Sequence, residues 1–170
     1  MSKIIIYATK CGSSEQYAKK LSEIMRIKCY NIKSLKSNIL EGIEGIIYIA
    51  PIRMNKIYKF SKFYEWYNIE DIKITPICIG LTPHNEEYIE FIKEKNFKNL
   101  RNVDNIYYLR GAFDKTKLSF LDRCLVNMIV NNIEKKDVLT QNEKMIYDML
   151  SHNSDYIDYD ILENIAYSIE

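Results

Sequence analysis

The chain has 170 residues, 47% hydrophobic and 28% charged, with 24 Lys and Arg against 23 Asp and Glu. That length predicts one domain with a real core, and a net charge of +1 argues against nucleic acid as a partner. No apolar run approaches the roughly 20 residues needed to cross a bilayer. The N-terminus enters a strand directly, with no signal-peptide pattern. Cys11, Cys29, Cys78 and Cys124 show no Cys-x-x-Cys spacing. Neither a zinc site nor a disulfide frame is therefore expected, and a reducing cytoplasm is the predicted setting.

Residues 3–21 (KIIIYATKCGSSEQYAKKL) open on Ile4-Ile5-Ile6-Tyr7, the continuous apolar run of a strand buried on both faces. The loop Thr9-Lys10-Cys11-Gly12-Ser13-Ser14 leads into a helix whose apolar positions, Tyr17, Leu21 and Ile24/Met25, recur at helical spacing. Ser13 is the expected N-cap, with Gln16 completing a capping box. Residues 27–32 read as a second, more polar strand near an edge, and 34–41 as a turn or two of helix. Residues 45–51 (GIIYIAP) are continuously apolar and predict a central third strand. Residues 57–67 predict a helix lying on the sheet, with Trp66 and the nearby tyrosines as core and sheet cover. Residues 74–81 are the fourth strand; Pro76 removes one ladder hydrogen bond and is expected near the strand start or at a bulge. Residues 86–95 predict a helix with carboxylates in its first turn, and 105–111 (NIYYLRG) a fifth strand. This alternation implies an α/β fold, a parallel sheet with helices on both faces and right-handed crossovers.

Residues 118–133 form a helix apolar on more than one side. Leu118, Leu121, Leu125 and Met128/Ile129 make one face, while Phe120, Val126 and Val130 point elsewhere. The excess fits sheet cover, a homodimer surface or peripheral contact with a membrane interface. Thr140 with Glu143 predicts a capped helix over 140–150. Residues 151–156 read as a loop. A final helix over 159–169 presents Ile161, Ile165, Ile169 and Leu162 to the sheet.

The first strand-to-helix turn is suited to an anion. Amide groups at a helix start and the dipole behind them attract negative charge. Thr9, Ser13 and Ser14 add hydroxyls, and Gly12 lets the backbone approach. No dinucleotide or triphosphate fingerprint is present, so a single phosphate monoester fits. In an open parallel sheet, ligands lie outside the carboxyl ends of the strands, which selects three loops: residues 9–14, 51–56 and 82–85. The second carries Pro51, Ile52, Arg53, Met54 and Asn55, apolar groups beside a cation and an amide. The third carries Thr82, Pro83 and His84. A phosphate socket beside a slot for a flat ring points to a mononucleotide, FMN before others. His84 could bond a flavin edge or simply be solvated. Cys11, at a helix start, is either a thiol of lowered pKa or a small residue filling the turn. Arg101, Arg110, Lys115, Lys117 and Arg123 form either a carboxylate-binding group or a scattered solvated face.

The Thr9-x-x-Gly12-x-Ser14 turn between strand and helix resembles the phosphate loop of flavodoxins, with Cys11 standing where a hydroxyl residue is usual. Ala50-Pro51-Ile52-Arg53-Met54, Leu109-Arg110-Gly111-Ala112-Phe113 and the helix with Leu121-Asp122-Arg123 resemble segments of the bacterial flavodoxin-type protoporphyrinogen oxidases. In that group an aromatic residue is usual where Met54 stands. The resemblance implies a flavodoxin-like fold over residues 1–170, a five-stranded parallel sheet of order 2-1-3-4-5, and a helical insertion near 114–150. It also implies noncovalent FMN and an oxidoreductase of the protoporphyrinogen-oxidase type, with a porphyrinogen donor and a quinone acceptor. The alternatives are an electron-transfer flavodoxin with an unknown partner, which the near-neutral charge disfavours, and a flavodoxin-fold binding module without flavin.

Overall fold

The computed structural model of the chain describes residues 2–169. Its sheet follows from side-chain alternation along β1 (Lys3–Tyr7). Ile4 and Ile6 enter one apolar cluster and Ile5 and Tyr7 the other, the two-residue period of a strand. Both clusters are dry, with Ile4, Ile5 and Ile6 at most 4% exposed. The strand is apolar throughout because it has two core faces.

The parallel sheet has the order β2-β1-β3-β5-β6, comprising β2 (Cys29–Asn31), β1, β3 (Gly45–Arg53), β5 (Lys73–Gly80) and β6 (Tyr107–Arg110). These are the five strands read from the sequence, in the order the resemblance implies. The polar β2 lies at an edge and β3 at the centre. Helix α1 (Ser13–Met25) and α6 (Ile161–Ile169) cover one face. The other face is covered by α2 (Phe60–Tyr67) and α3 (Glu86–Phe97). The connection at 34–41 is made of short 3-10 turns.

Several expectations are corrected. Strand β3 runs on to Arg53 and turns back through Met54 and Asn55 into β4 (Lys56–Ile57). Met54 and Asn55 both have positive φ, 48° and 62°, the backbone of a two-residue hairpin whose twist suits its strands. Helix α2 therefore starts at Phe60, later than residue 57. On α2, Phe60, Phe63, Tyr64 and Tyr67 take the sheet-facing side. Trp66 falls opposite and is 73% exposed, under the Lys62 ammonium; it is not core.

Pro76 sits inside β5, paired with Tyr48, and not at the strand start or a bulge. The Ile74 N–H donates toward the β6 side, to Asn102 O, and alternation points the missing Pro76 N–H the same way. That side is open between the Ile74–Val103 bridge and the first β6 pair, Ile77 with Tyr107. No ladder bond is lost.

Ser13 is not the N-cap of α1. Gly12 holds that position at φ 102° with no side-chain cap, because the Ser13 hydroxyl is engaged by the Ala112 backbone. On α6, Leu162, Ile165 and Ala166 are buried while Ile161 is 41% exposed.

Between β7 (Ala112–Phe113) and β8 (Ser154–Asp155), which pair antiparallel, the chain makes α4 (Phe120–Glu134) and α5 (Gln141–Ser151). The Thr140–Glu143 capping box of α5 is complete. On α4, Phe120, Leu121 and Met128 remain exposed. Among the described residues no helix is long and apolar enough to cross a membrane.

Candidate functional site

A cavity of about 310 Å³ opens at the carboxyl ends of β1, β3, β5 and β6, within the roughly 300–1,000 Å³ of small-molecule sites. Thr9, Lys10, Cys11, Ser13 and Ser14 line it from the first turn, Pro51, Ile52 and Arg53 from the second, and Thr82 from the third. Gly12 shapes the turn from behind: its N–H donates to Thr9 Oγ1 at 3.0 Å. Met54, Asn55, Pro83 and His84 are not brought to the wall. Met54 sits at the hairpin tip, 78% exposed. The Asn55 carbonyl accepts from Asn96 Nδ2 at 3.0 Å, which turns it toward α3. Pro83 and His84 are exposed, with the His84 ring 6.3 Å from that of Tyr108.

The hydroxyls of the first turn are oriented by the backbone. Thr9 Oγ1 accepts the Gly12 N–H, and Ser13 Oγ accepts the Ala112 N–H at 2.8 Å. Thr9 Oγ1, which already accepts a bond, offers its hydrogen as a donor, whereas the Ser13 hydroxyl turns its own toward Ala112 O at 3.4 Å. The close approach of the two segments requires Gly111. A Cβ there would lie 2.6 Å from Ile79 Cγ2 and 3.1 Å from Ser13 Oγ. The first amides of α1 have no partner within the helix, so donors converge on one end of the cavity.

Sequence reasoning missed the far wall. Leu118, Leu125 and Val126 of the α4 segment and Leu150 of α5 close the cavity over the strand ends, and Tyr88, Tyr108 and Phe113 complete it. It also missed Asp122, in the first turn of α4 and 7% exposed. Its carboxylate accepts from Lys10 Nζ at 3.2 Å, from Ser119 Oγ at 2.7 Å and from the Arg53 guanidinium. The Ser119-x-x-Asp122 spacing signals a helix start, but nothing local announces that two distant cations meet the carboxylate. Burial alone would raise the Asp122 pKa; bonds from Ser119 and Lys10 and the charge of Arg53 outweigh it and hold the carboxyl below its ordinary value.

A depressed carboxyl stabilises the fold above its unfolded pKa, about 3.9, and the contribution disappears as pH falls through the lower folded value. The Tm difference between the wild type and Asp122→Asn should therefore narrow below about pH 4. A difference that stays constant down to acid unfolding would contradict this linkage.

Cys11 does not act as a lowered thiol. Burial and the nearby Asp122 charge raise its pKa. The basic residues do not form a single carboxylate cradle either. Arg110 donates to Leu81 O and stacks at 3.6 Å on Tyr156; Lys115 donates to Ser151 O; Lys117 pairs with Asp114.

The family model described as Flavodoxin domain matches residues 4–140. The chain belongs to the flavodoxin domain family. No curated protein matches it. Among solved structures, a candidate flavoprotein of Bacteroides eggerthii is 14% identical, over 79% of this chain and 99% of that one, with a TM-score of 0.52. The two-electron reduced flavodoxin of Megasphaera elsdenii is 9% identical, over 62% and 84% of the two chains, at 0.47. A flavodoxin from the Archaea is 11% identical, over 89% and 100%, at 0.44. Membership in the flavodoxin domain family supports FMN as the cofactor, and the donor set at the first turn fits its phosphate. The grouping with protoporphyrinogen oxidases has no support among these matches.

Proposed function

We propose that this flavodoxin-domain protein seats FMN in the cavity and works as an oxidoreductase on a small molecule, with the flavin shielded by α4 and α5. The 9–14 turn binds the phosphate through helix-start amides and the Thr9 hydroxyl, with Ser13 tying the turn to Ala112. Pro51, Ile52 and Thr82 flank the ring slot, and Lys10 and Arg53 supply cations at its margin. Bound FMN supplies hydride or single-electron transfer; the chain orients it and excludes water.

The observation that carries this reading is the apolar wall of Leu118, Leu125, Val126 and Leu150 across the cavity. A carrier that passes electrons to other proteins gains nothing from covering its cofactor. A net charge of +1 also lacks the strongly acidic balance that steers a carrier toward basic partners. The resemblance makes a porphyrinogen the first donor to test and a quinone the first acceptor. The exposed Phe120, Leu121 and Met128 leave a surface for a membrane interface or a second copy. Four free cysteines suit the reducing cytoplasm.

The purified protein should show a flavin absorption spectrum, bleached anaerobically on addition of protoporphyrinogen. Bound flavin that does not respond to the porphyrinogen, yet is reduced by a protein donor, would replace this reading with an electron carrier. Failure to take up FMN would replace it with a binding module.

A further inference from the structure

Asp122 is the one carboxylate among the described lining residues, and it joins three segments of the cavity wall. Lys10 reaches it from the turn after β1, Arg53 from the end of β3, and Ser119 from the start of α4. Its side chain is 9% exposed, while those of Lys10 and Arg53 are 30% and 35% exposed. The ionised Asp122 stabilises the fold once Lys10 and Arg53 are present, but an apolar set in place of all three would serve stability about as well. A buried ion pair about breaks even against well-packed apolar side chains, and Leu118, Leu125 and Val126 already present such groups from the same segment. What the carboxylate changes is the charge of the cavity: without it Lys10 and Arg53 would add two positive charges to the wall.

The geometry points to Asp122 as a positioning residue that holds Lys10 and Arg53 against the wall and keeps the cavity from favouring the reduced, more negatively charged cofactor. This inference rests on the FMN reading of the site. Reduction of the ring system adds negative charge, which neighbouring cations favour and a neighbouring carboxylate opposes. Asp122 thus lowers the reduction potential of the bound flavin, and Arg53 raises it.

The test is the two-electron reduction potential of the FMN-loaded protein, measured by equilibration with a redox dye. Asp122→Asn should favour the reduced cofactor about tenfold, a rise of about 30 mV for a two-electron couple. Arg53→Gln should move the potential downward, and Asp122→Glu, which keeps the charge, should retain the wild-type value. Asp122→Asn and Arg53→Gln break the same ion pair. A purely mechanical clamp would therefore shift both potentials in one direction or leave both unchanged, and either result overturns the inference. Should Asp122→Asn fail to fold, Arg53→Gln decides alone, since an unchanged or raised potential in that variant overturns it. A wild-type chain that takes up no FMN removes the functional reading and this inference together. A loaded wild type whose variants share its potential removes only the inference.

Discussion

Gly12→Asp is expected to lower FMN affinity by at least about 100-fold, roughly 3 kcal/mol. Two effects add. Gly12 adopts φ 102° at the head of α1, a conformation costing a side-chain-bearing residue about 1–3 kcal/mol. If the backbone relaxes to relieve that strain, the Gly12 N–H leaves Thr9 Oγ1 and the orientation of the hydroxyl goes with it. The second effect is charge, because a carboxylate placed among donors meant for a phosphate repels the ligand they serve. Gly12→Asn separates the two, since it carries similar strain without the charge and should lose less affinity. Titration of flavin fluorescence reads both variants. Affinity undiminished in Gly12→Asp would move the phosphate away from the 9–14 turn.

Phe63→Ala should destabilise the fold by about 3–5 kcal/mol, a large part of the roughly 5–15 kcal/mol available to a domain. Phe63 is 1% exposed. Its ring stacks on Tyr48 with centroids 5.1 Å apart and tilts against Tyr67 at 5.5 Å. Tyr48 is itself fully buried on the central strand β3 and donates its hydroxyl to Tyr58 O at 2.9 Å. The neighbouring rings are pinned and cannot collapse into the space, so the lost contacts and the cavity both count. Trp66→Ala on the outer side of the same helix should change stability by only about 0.5 kcal/mol. Urea denaturation of the two variants provides the comparison. A loss below about 1 kcal/mol for Phe63→Ala would mean that α2 is not seated on the sheet as described.

The strands were legible in proportion to how fully they are buried. Ile4 to Tyr7 and Ile46 to Ala50 are apolar without interruption because helices cover both faces, and such runs need no tertiary knowledge to read. The β3–β4 hairpin was not legible. It turns through Met54 and Asn55 with no glycine to mark it, so the chain reads as a loop entering a helix. On α2 the spacing of Phe60, Phe63, Tyr64 and Tyr67 fixes the sheet-facing side, and Trp66 falls off it; an aromatic-dense helix hides that choice until the packing is seen. Ser13 was read as a cap from local spacing, yet its hydroxyl is taken by Ala112, 99 residues away.

The same division runs through the site. The turn that lines its first wall is readable from residues 9–14 alone, since strand, glycine, hydroxyls and helix start are consecutive. The wall from α4 and α5 was not, and neither was the meeting of Arg53 and Asp122, 69 residues apart.

Local composition and periodicity determined the strand-and-helix alternation, the buried sheet and the glycine-and-hydroxyl turn between β1 and α1, because each depends on neighbours within a few residues. Tertiary structure decided which loops reach the cavity, which side chains close it and which carboxylate balances its cations. Those outcomes depend on contacts between distant segments, and packing, not spacing along the chain, brings such segments together.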